Sequence, residues 1–265
     1  MVTFTRERSE EGVTERLFDL TVEGERVPAV IWAPEGARGQ RPLILMGHGG
    51  SQHKKIGTLA ARARQYAKRL GYAVLAIDAP GHGDRISREQ AEKQAAEVGA
   101  RVRGQGNTTF TPEMLKAMME RTMRAVPEWK AALNATLAFD FISHTTRIGY
   151  WGVSMGTAIG VPFLAEEPRI KCAVLGLAGL RPGQTAFEEA AKKIQIPVEF
   201  VFQWEDAVAP RENGIALFNA FSSKEKTMHI NPGEHVAIPN FEGASWERFF
   251  TRHLGKAEAM ERAFE

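Results

Sequence analysis

The stretch YWGVSMGTAIG, residues 150–160, decides how the rest of the chain is read. Its first half has the aromatic and apolar character of a strand end, and its second half has the small residues of a helix start. Ser154 stands on the corner between them, with Gly152 and Gly156 two residues to either side. A side chain at either glycine would collide with the neighbouring strand or helix, so the pattern G-x-S-x-G is a steric requirement for presenting a serine at the tip of such a turn. The corner exposes the serine Oγ. It also aims the first N–H groups of the helix at the group facing the serine, where they favour negative charge.

Outward from this corner, apolar runs alternate with helical periodicity. RLFDLTV (16–22) and VPAVIWAP (27–34) read as a hairpin turned at Glu23-Gly24. Further strands are expected at 42–50, 72–83, 147–153, 170–179, 197–204 and 226–233, and helices at 56–71, 155–166, 184–193, 211–221 and 243–254. The alternation implies an α/β fold: a mostly parallel twisted sheet of about eight strands with helices on both faces. In such sheets the reactive groups gather at the carboxyl ends of the strands.

The composition fits one domain over residues 1–265. It is 43% hydrophobic and 25% charged, as ordinary globular chains are. The 34 basic and 32 acidic residues nearly cancel to a net charge of +2, so no global field invites nucleic acid. Cys172 is the sole cysteine, which excludes an intrachain disulfide or a Cys-rich metal site. The polar N-terminus lacks the apolar run of a signal peptide, and no apolar stretch approaches the ~18 residues that span a bilayer. The expectation is a soluble cytoplasmic protein without a membrane partner, for which a homodimer is an open alternative.

Residues 84–126 break the rhythm. SREQAEKQAAEVGA and TPEMLKAMMERTMRAV have helical character, with Thr111 as N-cap and Pro112 at the first helical position, and Pro127 marks a break before a further helix over 128–145. The segment reads as a small helical cap inserted over the sheet. Met114, Leu115, Met118, Met119 and Met123 recur at helical spacing and either pack this helix down or line an adaptable apolar pocket. Arg85, Arg88, Arg101, Arg103, Arg121 and Arg124 make the segment basic, either as a solvated surface or as an attractor of acidic substrate.

A serine hydroxyl needs a base. Of the seven histidines, His235 lies in a loop after the last strand, at the correct end of the sheet. His229 lies within that strand and reads as packed, His253 suits a helix C-terminus, and His53 and His144 have nothing around them. Asp206, directly after the strand at 197–204, is the acid expected to orient the base, with Glu205 as the alternative. The Gly-rich loop after the strand at 42–50 offers the N–H of Gly50 to a developing oxyanion, with Gly49 or Ser51 as substitutes, and the Met155 N–H is the second donor.

GHGGS (47–51), DAPGHGDR (78–85), RIGYWGVSMG (147–156), QWEDAVAP (203–210) and GEHV (233–236) together resemble the α/β-hydrolases, and more narrowly the dienelactone hydrolase and prolyl oligopeptidase-like esterases. The resemblance spans roughly residues 26–254 and implies that His82 of DAPGHG is structural. Two departures stand out: Thr157 where many relatives have glycine, and a longer 84–126 insertion. The resemblance implies a serine esterase for small or medium acyl esters, acting through Ser154, His235 and Asp206 with no metal or organic cofactor. Lactone, thioester or carbon–carbon bond hydrolysis by the same groups are the alternatives within the fold, and a non-enzymatic binding protein is the alternative outside it.

Overall fold

The strand Leu43–Gly47 shows how the molecule is layered. Leu43 and Leu45 join one core cluster and Ile44 and Met46 the other, all fully buried. A strand apolar on both faces must be covered on both sides. The computed structural model describes residues 2–105, 111–142 and 145–257. Among them, nine strands form a single sheet: β1 (Phe4–Glu10), β2 (Val13–Val22), β3 (Glu25–Pro34), β4 (Leu43–Gly47), β5 (Ala73–Ile77), β6 (Ile148–Val153), β7 (Ile170–Gly176), β8 (Val198–Gln203) and β9 (Lys226–Asn231). Their spatial order is β1-β2-β3-β5-β4-β6-β7-β8-β9. The pairs from β1 to β5 are antiparallel, and those from β5 across to β9 are parallel.

Helices α1 (Gly57–Leu70) and α7 (Phe241–Leu254) cover one face, burying Leu59, Ala63, Tyr66, Trp246 and Phe250 against Val74, Trp151 and Val174. The other face carries α3 (Pro112–Leu137), α4 (Met155–Glu166), α5 (Thr185–Lys192) and α6 (Arg211–Ala220). There Trp129, Leu133, Ile159, Phe163 and Leu217 pack on Leu45, Leu75 and Phe200. The remaining helix, α2 (Arg88–Val102), buries no residue fully and starts on a capping box between Ser87 and Gln90. No helix among the described residues is long and apolar enough to cross a membrane.

Two expectations are corrected. The sheet has a ninth strand, β1, whose residues after Phe4 are all exposed. A solvated edge strand of charged residues carries no apolar alternation to betray it, and its charge blocks edge-to-edge pairing. The break at Pro127 does not occur either: α3 runs through it, while the helix expected over 128–145 stops at Leu137. Proline deprives the carbonyl four residues earlier of its donor. That residue is Met123, 51% exposed, so water can take the donor's place. The buried Ala125, Val126, Trp129 and Leu133 hold the helix on the sheet to either side.

Candidate active site

The corner forms as its glycines require. Ser154 has φ 57° and ψ −119°, a strained conformation for a residue with a Cβ. β4 and β6 pair Gly47 with Gly152. A Cβ on Gly156 would stand 2.5 Å from the Gly47 carbonyl oxygen, and one on Gly152 would stand 2.8 Å from the Gly156 carbonyl. Helix α4 can therefore approach the sheet closely enough to hold the serine at its N-terminus. Thr157 has a purpose here that glycine could not serve. Its buried hydroxyl accepts the Gly176 N–H at 2.8 Å and lies 2.7 Å from the carbonyl oxygens of Gly152 and Gly176, pinning α4 to β7. The Tyr150 hydroxyl donates to the Gly156 carbonyl at 2.7 Å from below.

The structure brings Ser154, His235 and Asp206 together from three separate loops. His235 Nε2 lies 2.9 Å from Ser154 Oγ, and His235 Nδ1 lies 2.7 Å from Asp206 Oδ2. His235 and Asp206 are both buried. Asp206 Oδ1 accepts the N–H groups of Val208 and Ala209, each at 2.8 Å, which leaves Oδ2 to the imidazole. With Nδ1–H donating to that carboxylate, Nε2 is left to accept from the serine hydroxyl. Glu205 accepts instead from the Gly233 N–H. His229 is half-buried and bonded to Glu242, His253 sits beside Glu225, and the His53 ring accepts from the Lys55 N–H. His144 lies outside the described residues.

The Gly-rich loop after β4 is held by groups that the sequence pattern did not single out. Asp78, fully buried, accepts from the Lys54 N–H at 2.8 Å, the Lys54 ammonium at 2.7 Å and the Asp84 N–H at 2.9 Å. It thus ties the loop at 48–54 to the loop at 78–85. His48 Nε2 accepts the Ala79 N–H at 3.1 Å, so its proton is on Nδ1, donating to Gly49 O at 2.8 Å. Desolvation, opposed by that hydrogen bond, pushes the His48 pKa down to about 4, so the ring stays neutral. Because a trans peptide sets C=O and N–H on opposite sides, fixing Gly49 O also fixes the direction of the Gly50 N–H. The Gly49 N–H is spent on Gln52 Oε1 at 3.1 Å.

The geometry has counterparts among solved structures. A cold-adapted esterase from an Arctic intertidal metagenomic library, in its polyethylene-glycol-bound form, is 33% identical over 95% of this chain and 99% of its own, with a TM-score of 0.78. The chain belongs to the α/β-hydrolase superfamily. An acetyl xylan esterase from Paenibacillus sp. R4 shares the hydrolase fold at 15% identity, covering 96% of this chain and 88% of its own, with a TM-score of 0.72. The dienelactone hydrolase from Anabaena variabilis ATCC 29413 does so at 17% identity, 92% and 100% coverage and a TM-score of 0.62. No protein-family model matches the chain, and no curated protein does.

In this α/β-hydrolase a cavity of about 440 Å³ opens in front of Ser154 and His235, with Gly50 and Met155 in its wall. Its apolar lining comes from Met114, Leu115, Met118 and Met119 of α3, from Ile159 of α4 and from Phe187 of α5. The methionine stripe thus faces the pocket, while Trp129 and Leu133 further along α3 face the core. Arg101 and Arg121 line the same cavity. Arg85 departs from the expected basic surface: its side chain is covered and paired with Glu128.

Proposed function

We propose that the protein is a serine carboxylesterase acting through an acyl-enzyme on Ser154. The observation that carries this reading is the unbroken chain of hydrogen bonds from Ser154 Oγ through His235 to Asp206 at the wall of an apolar cavity. Ser154 attacks the ester carbonyl as His235 Nε2 takes its proton, and Asp206 orients the ring and stabilises the imidazolium. The N–H groups of Gly50 and Met155 receive the oxyanion. The imidazolium returns the proton to the leaving alcohol. Water, activated by His235, then hydrolyses the acyl-enzyme. Every group comes from one chain, so a homodimer would not be needed for the chemistry.

The cavity's apolar lining supports esters with an apolar acyl group, and the residues at 84–126 would act as the cap that selects it. That the 33% identical neighbour is an esterase supports the same reaction class. The reading is tested with a fluorophosphonate probe followed by peptide mass analysis. Stoichiometric labelling on the peptide carrying Ser154 is expected, with parallel loss of ester hydrolysis. Hydrolysis that survives full labelling of Ser154 would contradict it.

A further inference from the structure

Away from the cavity, on the sheet face covered by α7, a second cluster joins three elements. Glu199 comes from β8, His229 from the edge strand β9 and Glu242 from the first turn of α7. His229 Nδ1 and one oxygen from each carboxylate all lie within 4.8 Å of one another. The Nδ1 atom is 2.8 Å from Glu242 Oε2 and 3.8 Å from Glu199 Oε1. These distances bracket the roughly 3.3 Å edge of a tetrahedron drawn with metal–ligand bonds of about 2.0–2.1 Å.

Glu199 and Glu242 are 6% and 1% exposed, and Glu199 Oε1 is buried without a hydrogen-bond partner although it is aimed at the other two groups. A buried carboxylate oxygen left unpaired is costly, and a cation at this point would satisfy it. The neighbours of the cluster suit ligation. Asn231 Nδ2 donates to Glu242 Oε1 at 2.9 Å, and Ser245 lies beside the Glu199 carboxylate. Such outer contacts hold ligating carboxylates in place. A cleft of about 230 Å³, lined in part by Glu199, His229 and Ser245, gives access and room for a water as fourth ligand.

We infer that Glu199, His229 and Glu242 form a binding site for a divalent transition-metal ion, with zinc the best match to one imidazole and two carboxylates. The loop that carries His235 leaves β9 at Asn231 and enters α7 at Phe241, so the site clasps both ends of that loop. The ion would staple the loop without taking part in chemistry. No short-range spacing reveals such a site, since its ligands are far apart in the chain.

The test uses the full chain freed of metal by a chelator and titrated calorimetrically with zinc chloride, then with manganese chloride for comparison. One equivalent of zinc should bind, and zinc at about 100-fold excess over its Kd should raise Tm by about 5 °C. Glu199→Gln and His229→Gln should each weaken zinc binding roughly 10-fold or more, while Ser154→Ala should bind as the wild type does. That last comparison separates this inference from the proposed hydrolysis. A zinc-edge anomalous map of soaked crystals should place the ion among the three ligands, even if one variant fails to fold. The absence of stoichiometric zinc binding, or binding unchanged in both ligand variants, would overturn the inference. It would mean that Arg248, beside Glu199, together with the Glu242–His229 contact already completes the cluster.

Discussion

Arg85 and Glu128 form a buried bidentate ion pair, Nη1 to Oε2 at 2.7 Å and Nη2 to Oε1 at 2.9 Å, with side chains 7% and 4% exposed. Arg85 closes the loop after β5, and Glu128 sits in mid-α3 beside Pro127. The pair joins the loop beside the reactive corner to the helix that lines the pocket. Glu128→Gln leaves the guanidinium uncompensated and should destabilise the fold by about 3 kcal/mol in urea unfolding. A loss within about 0.5 kcal/mol, the scale of ordinary surface changes, would show that the pair does not anchor α3.

His48 makes stability depend on pH. Its folded pKa of about 4 lies below the unfolded value of about 6.5. The unfolded chain therefore binds the proton more readily. The contribution is complete above pH 6.5 and fades as the pH falls toward 4, reaching on the order of 3 kcal/mol. Denaturant unfolding at neutral and acid pH should show the loss. His48→Gln should flatten that part of the profile, and an unchanged profile would count against a buried neutral ring.

Asp206 and Glu205 separate by geometry. Only Asp206 touches His235, while Glu205 accepts from the Gly233 N–H. Asp206→Asn should lower kcat by about 10⁴ by presenting the wrong tautomer to the serine, and Glu205→Gln should change it little. The reverse ranking would move the acid.

Met118 and Met119 line the pocket from α3. Met118→Ala or Met119→Ala should shift the ratio of kcat/KM between short and long acyl esters. Each methylene of fit is worth about 1–3 kcal/mol, so the change should be several-fold or more. A chain-length profile identical to wild type in both variants would place acyl selection elsewhere.

How much of this was legible in the sequence follows from what each feature depends on. The corner at 152–156 is legible because its glycines report local backbone sterics, and His235 and Asp206 because strand ends converge in a parallel sheet. The strand β1 stays hidden because an exposed edge needs no apolar pattern. Pro127 misleads because its local penalty is outweighed by the packing of Trp129 and Leu133 on the sheet. The burial of Arg85 depends on Glu128, and the clamp from Asp78 to Lys54 bridges two loops, so neither leaves a short-range signature.

The most direct test of the central proposal is the turnover of a p-nitrophenyl ester by purified Ser154→Ala, with circular dichroism and thermal melting showing that the variant is folded. A fall in kcat on the order of 10⁶ relative to wild type is expected. A folded variant that hydrolyses the ester at near wild-type rate would contradict it.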